Sequence, residues 1–294
     1  MTHGMAGDPR SRSIRLQDGR RLGYADLGDP GGRPVFYFHG WPGSRLDPIP
    51  TIGAAERARV RLIPVDRPGF GLSTRDAKRR LSDWPDDVAE LADQLRLDRF
   101  SILGASGGGP SVAACAWALG HRLHATGIVA GWSRMSDRAL RKQAGDRLML
   151  GLAVRAPVLL TPVMGLMAMA AHRLPDRFLT AIVSQDLAEV DRRILADPAV
   201  AAAAVASGRE AFVQGQGGAA DDLKVTVGVW GFQLEDITVP VHLWVGTEDQ
   251  SVPPGIMADY RTRLRLSSYS EFPGEGHLIF YTRAEEILRT LVGP

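Results

Sequence analysis

Short runs, several of them strongly apolar, recur along the chain and read as strands: Ser13 to Leu16, Arg20 to Leu27, Val35 to Phe38, Arg61 to Val65, Phe100 to Leu103, Ala125 to Ala130, Val241 to Val245 and Ser267 to Phe272. Longer stretches with one apolar face lie between them and read as helices: Ile52 to Arg59, Ser82 to Leu95, Ser111 to Leu119, Pro254 to Leu264 and Thr282 to Leu291. The turn residues Gln17-Asp18-Gly19 join the first two strands as an antiparallel hairpin. Val35-Phe36-Tyr37-Phe38 is apolar without a break, the pattern of a strand covered on both faces. Ser82 is the expected cap of its helix, with Asp83, Asp86 and Asp87 favouring the positive end of the helix dipole. Alternation of strand and helix implies an α/β fold, with a mostly parallel eight-stranded sheet flanked by helices.

From about Ser133 to Glu235 the rhythm breaks. This segment is helical in pattern and holds five of the eight methionines, so it reads as a helical cap inserted after the sixth strand. The expected units are residues 1–132 and 236–294 as the core and 133–235 as the cap. Within the cap, Ala156 to Ala171 is apolar and bracketed by Arg155 and His172. It is shorter than the roughly 20 residues of a membrane span, and Pro157 and Pro162 interrupt it, so no stable span is expected. Met164 and Met167 in this stretch are candidates for the wall of an apolar substrate pocket. Gly215 to Ala220 reads as a flexible connection.

Composition narrows the function classes. A net charge of +2, spread over scattered Arg and Lys across 294 residues, points away from nucleic acid. The single cysteine, Cys115, cannot form an internal disulfide and sits where a small core residue packs. Met1 to Arg12 lacks the apolar stretch of a secretory signal, which makes the cytoplasm the expected location. Nothing in the composition fixes the oligomeric state.

The chemistry centres on Gly104-Ala105-Ser106-Gly107-Gly108, between a strand and a helix. A serine on such a tight turn has its hydroxyl exposed, and the first helical N–H groups face whatever it attacks. A dinucleotide fingerprint would need glycine at Ser106, and a phosphate loop would need lysine where Pro110 follows Gly109. A serine nucleophile needs a base and an acid to orient that base. His3, His121, His124, His172 and His242 fall away from the expected edge of the sheet; His277 follows the strand ending at Phe272 and is the candidate base. Asp249, just past the strand ending at Val245, is the preferred acid, with Glu248 and Asp137 as rivals. The backbone N–H groups of Gly107 and Trp41 are the expected oxyanion donors, since Pro42 has none. His39 and the loop Asp66-Arg67-Pro68-Gly69-Phe70-Gly71 read as structural, the latter as a buried Asp-Arg turn.

Together, the Ser106 turn, His39-Gly40, Asp66 to Gly71, Gly246 to Asp249 and Gly276-His277 resemble the α/β-hydrolase family over nearly the whole chain outside the cap. The order serine, acid, histidine is also that of the family. The resemblance implies an eight-stranded sheet, a lid after the sixth strand, and neither cofactor nor metal. Haloalkane dehalogenases and epoxide hydrolases of this family carry aspartate where Ser106 stands. Gly107 is smaller than the residue many relatives carry there. The expected reaction is hydrolysis of a carboxylic ester of an apolar small molecule through an acyl-enzyme. Hydrolysis of a carbon–carbon bond beside a carbonyl uses the same three residue types, and a non-catalytic ligand-binding member can retain them. Cleavage of a proline-terminal amide is disfavoured, because no acidic cluster for a free amino terminus stands out in the cap.

Overall fold

The computed structural model describes residues 8–185 and 187–293; Met1 to Gly7, including His3, and the first part of the stretch read for a signal lie outside them. In chain order, β1 (Arg12–Arg15) and β2 (Arg21–Tyr24) form the expected hairpin, followed by β3 (Leu27–Gly28), β4 (Arg33–Phe38), α1 (Ile52–Arg57), β5 (Val60–Val65) and α2 (Trp84–Gln94). Then come β6 (Phe100–Ala105), α3 (Gly109–Leu119) and β7 (Leu123–Val129). Seven helices follow: α4 (Arg138–Gln143), α5 (Arg147–Arg155), α6 (Leu160–Arg173), α7 (Asp176–Ser184), α8 (Glu189–Leu195), α9 (Pro198–Ala211) and α10 (Gly217–Val227). The chain closes with β8 (Val241–Gly246), α11 (Pro254–Arg263), β9 (Leu266–Phe272) and α12 (Ile279–Val292).

The strands form one sheet in the order β1-β2-β5-β4-β6-β7-β8-β9, parallel from β5 to β9. The ninth strand is β3, two residues paired antiparallel with β5 that sequence reading merges into β2. Strand β4 shows why its apolar run is unbroken. Phe36 and Phe38 join the core that includes residues of α2 and α3, whereas Val35 and Tyr37 join the core that includes residues of α1 and α12. The chain steps from β4 to β5 on one side and later returns to place β6 on the other. The loops leaving β4 and β6 therefore diverge at a switch point, where α/β sheets form their crevice.

Three local expectations change. Ser82 lies inside a short 3-10 turn, Leu81–Asp83, and the Asp83 carboxylate accepts the Arg80 N–H instead. The apolar stretch from Ala156 divides into a 3-10 turn at Pro157–Leu159 and α6, because Pro157 suits only a first turn. Gly217 to Ala220 is the first turn of α10 and not a loose connection. Gly218 packs on Gly69 so closely that a Cβ there would lie 2.1 Å from the Gly69 carbonyl oxygen, so this glycine serves close approach.

Candidate active site

Ser106 leaves β6 with φ of +51°, in the left-handed region that non-glycine residues seldom adopt. Its carbonyl accepts the Trp132 N–H at 2.9 Å, which ties the turn to the end of β7. The side chain is half-buried, and Gly40 passes beside it: a Cβ on Gly40 would lie 3.4 Å from Ser106 Cβ. Trp41 is equally near the next residue, because a Cβ on Gly107 would lie 2.8 Å from Trp41 Cβ and 3.1 Å from its backbone nitrogen. The loop after β4 and the turn after β6 thus bring the Trp41 and Gly107 backbones together beside the hydroxyl.

At the other end of the site, Asp249 is buried at the end of β8, and its Oδ2 lies 2.9 Å from His277 Nδ1. The second carboxylate oxygen accepts the Val252 N–H, fixing the group in its turn. With a carboxylate at Nδ1, that nitrogen keeps its proton and Nε2 is the nitrogen that titrates. Burial lowers the affinity of the His277 ring for a proton, but the charges of Asp249, Asp191 and Asp146 outweigh it and raise the pKa to about 9. Of the rival acids, the Glu248 side chain is exposed, and Asp137 caps α4 by accepting the Ala139 N–H. The structure joins His277 to Asp249; among the described residues no hydrogen bond closes from Ser106 Oγ to the ring. Such contacts are often long before substrate is bound.

A carboxylate with no signal in the sequence meets His277 from the helical segment. Asp191, on α8 and fully buried, accepts the His277 N–H at 2.9 Å and the Leu278 N–H at 2.8 Å. Burial raises its pKa, opposed by these two donors. Gly276 makes room for it, since a Cβ there would lie 2.3 Å from Asp191 Oδ2. Local pattern gives no signal for this role, as Asp191 sits among ordinary helical charges.

The loop after β4 is held by a buried network. His39 Nε2 accepts the Arg67 backbone N–H, so its Nδ1 donates to the Gly40 carbonyl at 2.8 Å. Burial and the adjacent Arg67 keep the ring neutral, well below the ordinary histidine range. The Arg67 guanidinium also donates to the Gly40 carbonyl and pairs with Asp222 of α10 at 2.9 Å. Burial opposes the charge on Asp222, yet Arg67 and Arg79 bring its pKa down to about 2. Asp66 takes the Arg45 and Leu72 N–H groups and the Arg45 guanidinium, while burial lifts it to about 6. A buried arginine in the Asp66 to Gly71 loop implies a carboxylate elsewhere, which is the one sequence clue to Asp222.

The Trp41 indole donates to the Ala219 carbonyl of α10 at 3.0 Å, a second tie from this loop to the helical segment. Met164 is fully buried in the apolar cluster that contains Trp41, Phe70 and Trp132, and Met167 packs against that cluster. Asp47, further along the loop after β4, accepts the Tyr37 hydroxyl at 2.6 Å and the Tyr281 hydroxyl at 3.3 Å. No group of acidic, histidine or cysteine side chains suited to a metal ion occurs among the described residues, and no helix there is long and apolar enough to cross a membrane.

A model of the family described as "Alpha/beta hydrolase family" matches residues 35–290. A probable proline iminopeptidase of Leptolyngbya boryana is 35% identical over 89 residues, covering 29% of this chain and 27% of that protein. A proline iminopeptidase of Xanthomonas citri is 31% identical over 123 residues, 40% of this chain and 39% of its own. The chain thus spans well under half the length of these curated relatives. Among solved structures, a thermophilic esterase from Thermogutta terrifontis superposes with a TM-score of 0.67 at 20% identity, covering 95% of this chain and 96% of that one. A bromoperoxidase from Bacillus anthracis superposes with a TM-score of 0.69 at 21% identity, covering 96% and 98%. These likenesses speak for the fold.

Proposed function

The chain belongs to the alpha/beta hydrolase family, and we propose that within it this protein is a serine hydrolase that cleaves a carboxylic ester of an apolar small molecule. The observation that carries this reading is the hydroxyl of Ser106 on a left-handed turn beside the Trp41 and Gly107 backbones, at the same edge of the sheet as the bonded pair His277 and Asp249.

Ser106 Oγ attacks the ester carbonyl as His277 Nε2 takes its proton, and Asp249 holds the resulting imidazolium. The Trp41 and Gly107 N–H groups receive the oxyanion; one such donor is worth on the order of 3 kcal/mol of barrier. Collapse expels the alcohol, which takes the proton back from His277. Water, deprotonated by the same ring, then releases the acid and restores Ser106. The helical segment 133–235 acts as the cap in this reading, with Met164 and Met167 walling the acyl pocket; substitution of either by a bulkier residue shortens the preferred acyl chain.

The names of the matched relatives raise amide cleavage at an N-terminal proline. That reaction needs a carboxylate free to hold a cationic terminus. Asp191 is taken up by two backbone N–H groups and Asp47 by two tyrosine hydroxyls, which favours the ester. The test is labelling by a fluorophosphonate, abolished in Ser106→Ala, combined with turnover of p-nitrophenyl acyl esters against proline p-nitroanilide. Unchanged labelling in Ser106→Ala sinks the nucleophile assignment, and faster turnover of the anilide sinks the ester.

A further inference from the structure

Nine of the twelve exposed large apolar side chains among the described residues lie between Leu148 and Val183, on α5, the Pro157–Leu159 turn, α6 and α7. This concentration is far from the isolated exposed leucine that any surface tolerates. In α6, Pro162, Leu166, Met169 and Arg173 recur at the spacing of one helical face and are exposed, Leu166 by 62%. Helix α7 has no buried residue at all; Phe178 and Ile182, one turn apart, are both exposed.

The same stretch is strongly basic. From α5 to the end of α7, residues 147–184 carry four Arg against one Asp, a net +3 in a chain whose total is +2. Arg147, Arg155, Arg173 and Arg177 take no ion-pair partner among the described residues, and the Arg177 guanidinium lies over the Phe178 ring at 4.9 Å. Apolar side chains interleaved with unpaired arginines match a surface that is oily beneath and negative on top. A second copy of the chain fits less well, since a symmetric contact would set one +3 face against another.

We propose that the outer face of α5, α6 and α7 docks on an anionic lipid bilayer, with the apolar side chains in the headgroup boundary and the arginines on lipid phosphates. The contact is peripheral. It is independent of the chemistry assigned to Ser106, so Ser106→Ala binds as the parent protein does and the two readings fail separately.

The test is co-sedimentation of the full chain with phosphatidylcholine vesicles, with and without phosphatidylglycerol, at low and high salt. The protein is expected to bind the phosphatidylglycerol vesicles, to be released by salt, and to ignore pure phosphatidylcholine. Removing two charges in Arg173→Gln with Arg177→Gln weakens binding about 25-fold, at about fivefold per arginine. Leu166→Asp with Ile182→Asp abolishes it while the unfolding midpoint and fluorophosphonate labelling hold. Absence of a phosphatidylglycerol preference overturns the proposal, as does binding that survives the two aspartates. A dimer in solution that these aspartates convert to monomer also overturns it, assigning the face to self-association. If the aspartate pair fails to fold, the glutamine pair, on exposed positions, decides: unweakened binding there overturns the proposal as well.

Discussion

Asp191 Oδ2 accepts the backbone N–H of His277 at 2.9 Å, so the residue that carries the candidate base is held by a carboxylate from the helical segment 86 positions earlier. Asp191→Asn keeps the size of the side chain but cannot accept both N–H groups. Leaving one buried donor unpaired costs on the order of 1–3 kcal/mol, and kcat/KM is expected to fall about tenfold. Removal of the charge also lowers the pKa of the ring, because Asp191 is one of the charges that raise it. The rising limb of the pH–rate profile therefore moves to lower pH. A merely structural loss would lower the plateau without moving the limb.

The parent protein has its own pH signature. With the His277 pKa raised to about 9, the candidate base is protonated at neutral pH, and on the proposed mechanism kcat/KM for an acyl ester is expected to climb until about pH 9. Stability runs the other way. A histidine whose folded pKa exceeds its ordinary 6.5 contributes fully below that value and loses the contribution as pH rises through about 9. Unfolding midpoints of Ser106→Ala across this range should fall, and Asp249→Asn, which removes the main positive influence on the ring, should flatten the fall.

Asp222→Asn leaves the buried guanidiniums of Arg67 and Arg79 without a counter-charge. Breaking a buried pair in this way typically costs about 3–5 kcal/mol, readable by denaturant unfolding. For the parent protein the sign is that of a depressed acid: the contribution is present above 3.8 and is lost as pH falls through about 2.

Gly107→Ala is expected to separate activity from stability. The new Cβ would lie 2.8 Å from Trp41 Cβ, so the loop after β4 must shift while the sheet beneath it does not. A loss of up to about 3 kcal/mol of transition-state stabilisation, roughly 100-fold in kcat, should accompany a small change in unfolding midpoint. An unaltered kcat would show that the loop does not serve the oxyanion. The close approach of Trp41 is also the physical reason that this position is glycine.

The centre of the sheet was legible in the sequence because strands such as β4 and β6 are buried on both faces, and unbroken apolar runs such as Val35 to Phe38 survive any detail of packing. The Ser106 turn and Asp249 were legible as positions because each follows such a strand, and His277 because it lies in the glycine-rich loop after the edge strand β9. What escaped depends on contacts between distant parts of the chain. Asp191 and Asp222 are surrounded in sequence by the same charges as any exposed helix, and only packing reveals that they are buried. The glycine pair at Gly217-Gly218 carries the same ambiguity, since local pattern does not distinguish a loose joint from a tight crossing with Gly69.

Three residues of the helical segment, Asp191, Ala219 and Asp222, reach back to His277, Trp41 and Arg67. The segment is thus a strut of the core, and a chimera that grafted on helices from another hydrolase would leave the loops at His277, Trp41 and Arg67 unsupported. Redesign of this scaffold has to proceed residue by residue inside the existing helices, with those three anchor points left where they are.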